Sequence, residues 1–171
     1  RSRAALFRII PIIDSIPSMT KLGCPMNLAE HTELERALGE RLATSGFRFT
    51  SQRRHVYDAL LQTLDHPTAD DVFMRTKRQM PDISHATVYN CLAALVHCGL
   101  VRQVQLQRGA TRYCPNMERH CHYCCDECGT IFDVTMPAET PTMPSPKGFQ
   151  VDHYEIAVHG LCANCAGLRK K

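Results

Sequence analysis

Two cysteine pairs of identical spacing, Cys125-Asp-Glu-Cys128 and Cys162-Ala-Asn-Cys165, carry the most definite chemistry in this chain. Two residues between paired cysteines make a tight knuckle that aims both sulfurs at one point. Zinc has no geometric preference of its own and accepts four thiolates in a tetrahedron. A site filled in this way has no open position, so its role is structural rather than catalytic. Thirty-three residues separate Cys128 from Cys162, more than the usual ribbon spacing, so the interval must hold secondary structure. The other readings of these cysteines are paired disulfides and a thioredoxin-type redox motif. The redox motif needs only one Cys-x-x-Cys beside a βαβ pattern, and no such pattern is present. Just upstream, His120 and His122 lie two apart, so on a strand they face the same way. Paired histidines beside a zinc knuckle point to a second metal site, one whose ion is sensed.

The chain shows no phosphate loop, no nucleophile–base pair and no paired carboxylates, so it is not expected to be an enzyme. With 171 residues and ten cysteines it has room for one domain or two small ones. The start, Arg1 to Ile10, is basic and then apolar, but Arg8, Pro11 and Asp14 interrupt it and no small-residue cleavage site follows. No run approaches the length of a membrane span. A cytoplasmic, reducing setting is expected, since it suits metal-bound thiolates. Residues 1–27 are read as a disordered arm or a mis-assigned start and are excluded from the fold argument.

Elements must position these ligands. Glu33 to Leu42 has helical spacing, with Leu34, Ala37, Leu38 and Leu42 on one side, and Gly46 ends it. Thr50 is placed to cap a second helix, whose apolar face is Val56, Leu60 and Leu64. Thr68 caps a third, where Asp70 and Asp71 favour the positive helix end. Ser84 caps a fourth, with Ile83 and Val88 as a hydrophobic staple and Gly99 at the C′ position, so that Leu100 folds back on Leu95. Val101 to Tyr113 reads as strand, glycine turn and strand. Three helices, a recognition helix and a two-stranded wing make a winged helix-turn-helix. The exposed face of the fourth helix offers His85, Thr87, Tyr89, Asn90 and His97. Such a helix enters the major groove, where Thr87 and Tyr89 would meet thymine methyls or phosphates and Asn90 would pair with adenine. Arg48, Arg53 and Arg54 near the preceding turn are candidates for phosphate contacts.

Net charge is +3 overall but unevenly placed: Thr44 to Arg112 carries +4 and Tyr113 to Lys171 carries −2. A basic first half joined to an acidic, Cys/His-rich second half points to nucleic acid bound by the first. In the second half, Gly129 to Val134 reads as a strand, Pro137, Pro141, Pro144 and Pro146 keep any helix short, and Phe149 to His159 reads as a long strand entering the second knuckle. The expected fold class is α+β: an N-terminal winged helix-turn-helix followed by a small zinc-pinned α/β domain.

From about Glu33 to Cys165 the chain resembles the ferric uptake regulator (Fur) family of bacterial metal-dependent repressors. The stretches that carry the likeness are Gly46-Phe-Arg-Phe-Thr-Ser-Gln-Arg53, His66-Pro-Thr-Ala-Asp-Asp71, Ile83-Ser-His-Ala-Thr-Val-Tyr89, His120-Cys-His-Tyr-Cys-Cys-Asp-Glu-Cys-Gly129 and Gly160-Leu-Cys-Ala-Asn-Cys165. The resemblance implies a dimer, with a DNA-binding domain over 28–112 and a metal-binding dimerisation domain over 113–171. It implies a regulatory metal at the hinge held by His66, Cys114, His120, His122 and Asp133, and a palindromic operator read by two recognition helices. A membrane or small-molecule partner is not expected. Cys114 stands where the family often has a carboxylate, and a soft thiolate suits zinc. Asp133 is similar to the aspartate of the peroxide-sensing branch, in which peroxide reacting at a ferrous ion with His and Asp ligands oxidises a histidine. Zinc is therefore the first choice for the second ion, with iron or manganese as the alternative. A thiol-redox protein and a zinc-ribbon adaptor are the readings of a different class. Asn90 stands where relatives commonly carry Arg, and a further metal site of some relatives is degraded at Arg119 and Cys121. Cys91 is expected in the core, and Cys121 and Cys124 are open as redox-reactive thiols.

Overall fold

The computed structural model describes residues 28–63, 65–105, 109–136, 144–151 and 155–169. Readings that rest on residues 1–27, Leu64, the wing tip at 106–108, Pro137, Pro141 and 152–154 lie outside the described residues. The element order is α1 (Leu28–Thr44), α2 (Ser51–Leu61), α3 (Ala69–Gln79), α4 (His85–His97), β1 (Arg102–Val104), β2 (Arg112–Cys114), β3 (His120–Cys125), β4 (Ile131–Thr135), β5 (Ala157–Gly160) and α5 (Ala163–Leu168). The architecture is mixed helix and sheet, with the helix-turn-helix first and a small α/β unit after it.

Local chemistry explains the helix ends. The Thr50, Thr68 and Ser84 side chains accept from the third backbone N–H of α2, α3 and α4 respectively. At Thr68 the cap is reciprocal, because the Asp71 carboxylate accepts from the Thr68 N–H at 2.9 Å. At the far end of α4, Gly99 takes φ +64°, Leu100 N–H donates to Leu95 O and Gly99 N–H donates to Val96 O. That is the 6→1 and 5→2 pair of a Schellman stop, which a residue with a Cβ adopts only at a cost. Arg41 of α1 crosses over to donate to Cys98 O at 2.7 Å and satisfies a further carbonyl of that end.

The helical core packs Leu38 and Leu42 of α1 against Val56 and Leu60 of α2, Val72 and Phe73 of α3, and Val88, Leu92 and Leu95 of α4. Cys91 belongs to this core, as expected. β1 and β2 pair antiparallel as the wing, with Gln103 opposite Tyr113. The second sheet has the order β4-β3-β5, with β3 antiparallel to β4 and parallel to β5. A small apolar cluster of Val104, Cys114, Cys124 and Ile131 joins the wing to this sheet.

The sequence reading is corrected at one strand. Phe149 to Val151 is not strand, and β5 begins only at Ala157. The reason is the partner: β3 starts at His120, two residues before the His122–Ala157 pair, so a longer β5 would run past the sheet without a neighbour. No helix forms over 144–151, and the short α5 that follows Cys162 has no counterpart in the sequence reading.

Candidate metal centres and nucleic-acid interface

Five ligand-bearing side chains converge between the helical part and the sheet. His66, Cys114, His120, His122 and Asp133 each offer an atom, and those atoms all lie within 4.8 Å of one another. They come from four local devices. His120 and His122 project from one face of β3, and Asp133 sits opposite His122 on β4. Cys114 ends β2. His66 is brought in by the loop before α3. That loop is clamped on one side by Arg75, which donates to Asp65 at 3.0 Å and to Thr63, and on the other by the Thr68 capping box.

The distances are those of a ligand set. His66 Nε2 lies 2.8 Å from Asp133 Oδ1, and His120 Nε2 and His122 Nε2 each lie 3.5 Å from it. The two Nε2 atoms of His120 and His122 are 2.9 Å apart, and Cys114 Sγ is 3.5 Å from His120 Nε2. Neighbouring nitrogen and oxygen ligands bonded at about 2.1 Å to one ion lie roughly 3 to 3.5 Å from each other. The buried His66 Nε2 and Asp133 Oδ1 approach closely yet neither has a hydrogen-bond partner, which is costly without a cation between them. The set therefore fits a metal ion. His120 Nδ1 lies 2.8 Å from Glu118 O, a contact that puts the proton on Nδ1 and leaves Nε2 as a ligand atom. Asn116 donates to Asp133 Oδ2 at 3.0 Å and fixes the carboxylate. Sequence reasoning missed Asn116, although a Cys-Pro-Asn run just ahead of two histidines is a local turn signal.

The electrostatics agree with this geometry. Burial, then the neighbouring His120 and His66 imidazoles, lower His122 to about 4. Burial acts to raise Asp133, but His66, Asn116 and the histidine charges outweigh it and hold the carboxyl at about 2. At neutral pH both are in their metal-binding forms. Cys114 is the reverse: burial, then the Asp133 carboxylate, push its thiol up to about 12. Its thiolate needs a cation.

The second convergence is Cys125, Cys128, Cys162 and Cys165, whose sulfurs also lie within 4.8 Å of one another. Cys128 Sγ and Cys162 Sγ are 3.8 Å apart, too far for a disulfide. A tetrahedron of ~2.3 Å Zn–S bonds has edges of about that length. The Cys125 thiol is lowered to about 6 because backbone N–H groups of Cys128 and Cys162 point at its sulfur. Cys165 is raised to about 12 by the Cys162 thiol and then by burial, a crowding of sulfurs that a divalent ion relieves. This set too fits a metal ion.

The surface read as DNA-facing divides. Arg48, Tyr89 and Asn90 are exposed and Thr87 is half-buried. His85 opens α4, stacked on Phe73 with ring centroids 3.5 Å apart. Arg53 lies over the Phe47 ring and donates to Arg48 O at 2.6 Å, so it braces the turn before α2. Arg54 is a correction. It is 4% exposed and its guanidinium is held by Asp58 at 2.7 Å and by Glu35 of α1, so it ties two helices together and does not face solvent. Adjacent helical residues point about 100° apart, which here turns Arg54 onto α1 while Arg53 stays half-buried at the turn. Cys124 is buried in the apolar cluster and burial raises its thiol, while Cys121 is buried with its sulfur 3.4 Å from Val134 O.

A helix-turn-helix and wing joined to a metal-binding sheet by a ligand set drawn from both parts is the build of a metal-dependent transcription regulator. Residues 44–159 match the ferric uptake regulator family, and the chain belongs to that family. It is 34% identical over 142 residues to the peroxide operon regulator of Bacillus subtilis (strain 168), covering 81% of this chain and 97% of that protein. It superposes on the Campylobacter jejuni peroxide stress regulator with a TM-score of 0.56 at 25% identity, over 82% of this chain and all of that one. The Helicobacter pylori ferric uptake regulator Fur shares the fold, with a TM-score of 0.62 at 16% identity over 89% of this chain and 96% of that one. The chain is a metal-responsive DNA-binding transcription regulator and not an enzyme. No helix among the described residues is long and apolar enough to cross a membrane.

Proposed function

We propose that this protein is a cytoplasmic, homodimeric repressor of metal-homeostasis genes, and that a divalent ion at the interlobe ligand set controls its affinity for a palindromic operator. The observation that carries this reading is the origin of the ligands: His66 precedes α3, Cys114 ends the wing, and His120, His122 and Asp133 belong to the sheet. With an ion bound, residues 28–112 and 113–171 are held at one angle, and the spacing of two recognition helices is fixed for one operator. Differential affinity of the ion for the closed form is what couples it to DNA. The dimer surface is the outer face of the β4-β3-β5 sheet, where exposed Tyr123 pairs with exposed Phe132 and Val158 across the strands and exposed Val134 follows Phe132 on the same face of β4. Arg48 and Arg53 serve phosphates, and His85, Thr87, Tyr89 and Asn90 face the base edges.

The tetrathiolate set holds structural Zn²⁺. For the regulatory set we favour Zn²⁺, because Cys114 supplies a soft thiolate among imidazoles. Ferrous or manganous ion, with peroxide sensing, is the second reading. It is favoured by Asp133 in the set and by the likeness to the B. subtilis peroxide operon regulator.

Fluorescence-anisotropy binding to an operator selected from a random duplex pool tests both readings. The structural ion is kept in place, and the regulatory set is titrated with buffered Zn²⁺, then anaerobically with Fe²⁺ and Mn²⁺. Zn²⁺-driven specific binding is expected. Binding driven by Fe²⁺ and lost with peroxide moves the protein to the second reading. Equal affinity for selected and random duplexes, with the same salt dependence, sinks the repressor reading itself.

A further inference from the structure

Arg112 sits at a three-way junction that the ligand set does not by itself require. It lies in β2, the second strand of the wing, two residues before Cys114. Its Nη1 donates to the backbone carbonyl of His66 at 3.0 Å. The same stretch of strand is sewn to the His66 loop by Tyr113 N–H to Pro67 O at 2.9 Å and by a bridge between Thr68 and Arg112. On the other side, a Cβ placed on Gly129 would stand 3.8 Å from Arg112 Nη2, so the guanidinium reaches the first cysteine knuckle. Gly129 itself is at φ +69°.

The residue that Arg112 holds is under backbone strain. Among the described residues, His66 is the one non-glycine with positive φ, at 52°, and it is 1% exposed. A histidine keeps a left-handed backbone in a buried site only when its surroundings over-determine it. The donor on its carbonyl is part of that constraint.

We propose that Arg112 is a positioning residue that presents His66 to the regulatory ion and makes the wing part of the metal switch. This rests on the regulatory-site reading given above. β2 carries the Cys114 sulfur to the ligand set and, through Arg112, the hold on His66. Closing the set therefore fixes the wing as well as the angle between the two parts of the chain. Without Arg112, His66 relaxes toward an ordinary backbone conformation, the set loses its preformed geometry, and the wing keeps only the Cys114 tie to the ion.

The test uses the full chain with its tetrathiolate ion retained. Arg112→Met keeps the unbranched apolar stem and removes the donors, and Arg112→Lys keeps the charge and a single donor nitrogen. Co²⁺ absorption reads the affinity of the regulatory set. Anisotropy reads the ratio of operator affinities with and without saturating ion. Arg112→Met is expected to weaken Co²⁺ binding by on the order of tenfold or more and to shrink that ratio. In a His66→Ala background the same change should add nothing, because both act through one ligand. Wild-type affinity and ratio in folded Arg112→Met, or a fully additive loss in the double variant, would overturn the proposal. If Arg112→Met does not fold, Arg112→Lys decides: an intermediate loss supports the role, and wild-type values overturn it. Wild-type protein whose operator affinity ignores the ion defeats the functional reading. A wild-type ion effect that Arg112→Met leaves intact defeats only this inference.

Discussion

On the proposed reading, ion choice and pH dependence both turn on Cys114. Of the three groups with shifted protonation in the regulatory set, His122 at about 4 and Asp133 at about 2 already hold their ligand forms at neutral pH, whereas Cys114 at about 12 does not. Ion binding must therefore expel the Cys114 proton, and a step that releases a proton is favoured as pH rises. Between about pH 6 and 8, Zn²⁺ affinity is expected to climb about tenfold per pH unit more steeply in wild type than in Cys114→Ser. Buffered-metal titrations at several pH values measure the difference, and parallel slopes would refute it. Arg54 offers a second contrast at this scale. Arg54→Met leaves the Asp58 carboxylate without its partner and is expected to cost on the order of 1–3 kcal/mol in urea unfolding, with no change in the salt dependence of DNA binding. Arg48→Ala should do the opposite, leaving stability intact and lowering the salt slope by about one. Spacing in the sequence offers Asp58 as a partner of Arg54 but does not bury it, because the second carboxylate comes from Glu35 on another helix.

At the scale of elements, what was legible was local. Thr68, Ser84 and Gly99 announce helix ends because caps are made by residues three to five positions apart. The structure has the corresponding hydrogen bonds at all three. Thr68→Ala removes the acceptor for Asp71 N–H and frees the Asp71 carboxylate, at a cost of about 1 kcal/mol in thermal unfolding. Because the same loop carries His66, that variant should also weaken regulatory-ion binding. Unchanged ion affinity would mean that the cap does not position the ligand. The extent of β5 was not legible, since strand length there is set by where β3 begins and not by the apolar pattern of 149–159. The His120–His122 pair was legible from period two alone, while the left-handed turn at His66 and the grip of Arg112 on it depend on contacts between distant segments.

For the molecule as a whole, the sheet has little apolar core of its own. The small cluster of Val104, Cys114, Cys124 and Ile131 is shared with the wing. Cross-links by metal must supply what burial does not, and a structural zinc contributes on the order of 10 kcal/mol. Stripping the tetrathiolate ion with a strong chelator is expected to unfold the sheet and abolish dimers while α1 to α4 keep their helical circular dichroism. A sheet that survives chelation would show that the ion is dispensable. Phe132→Glu places a charge on the exposed apolar face and should yield monomers in sedimentation that still hold both ions. Dimers in that variant would move the interface elsewhere.

The separation of Cys125 and Cys128 from Cys162 and Cys165 also sets an order of events during synthesis. A nascent chain emerges from its N-terminus, and domains fold as they become complete. The helical core closes with Tyr113, well before the last two cysteines have been made. Until then the first pair is an unpartnered dithiol, able to oxidise or to take up an adventitious ion. On the proposed reading, arrival of Cys165 is the earliest point at which a newborn chain can close the tetrathiolate set, so the sheet waits for its ion until all four sulfurs are present.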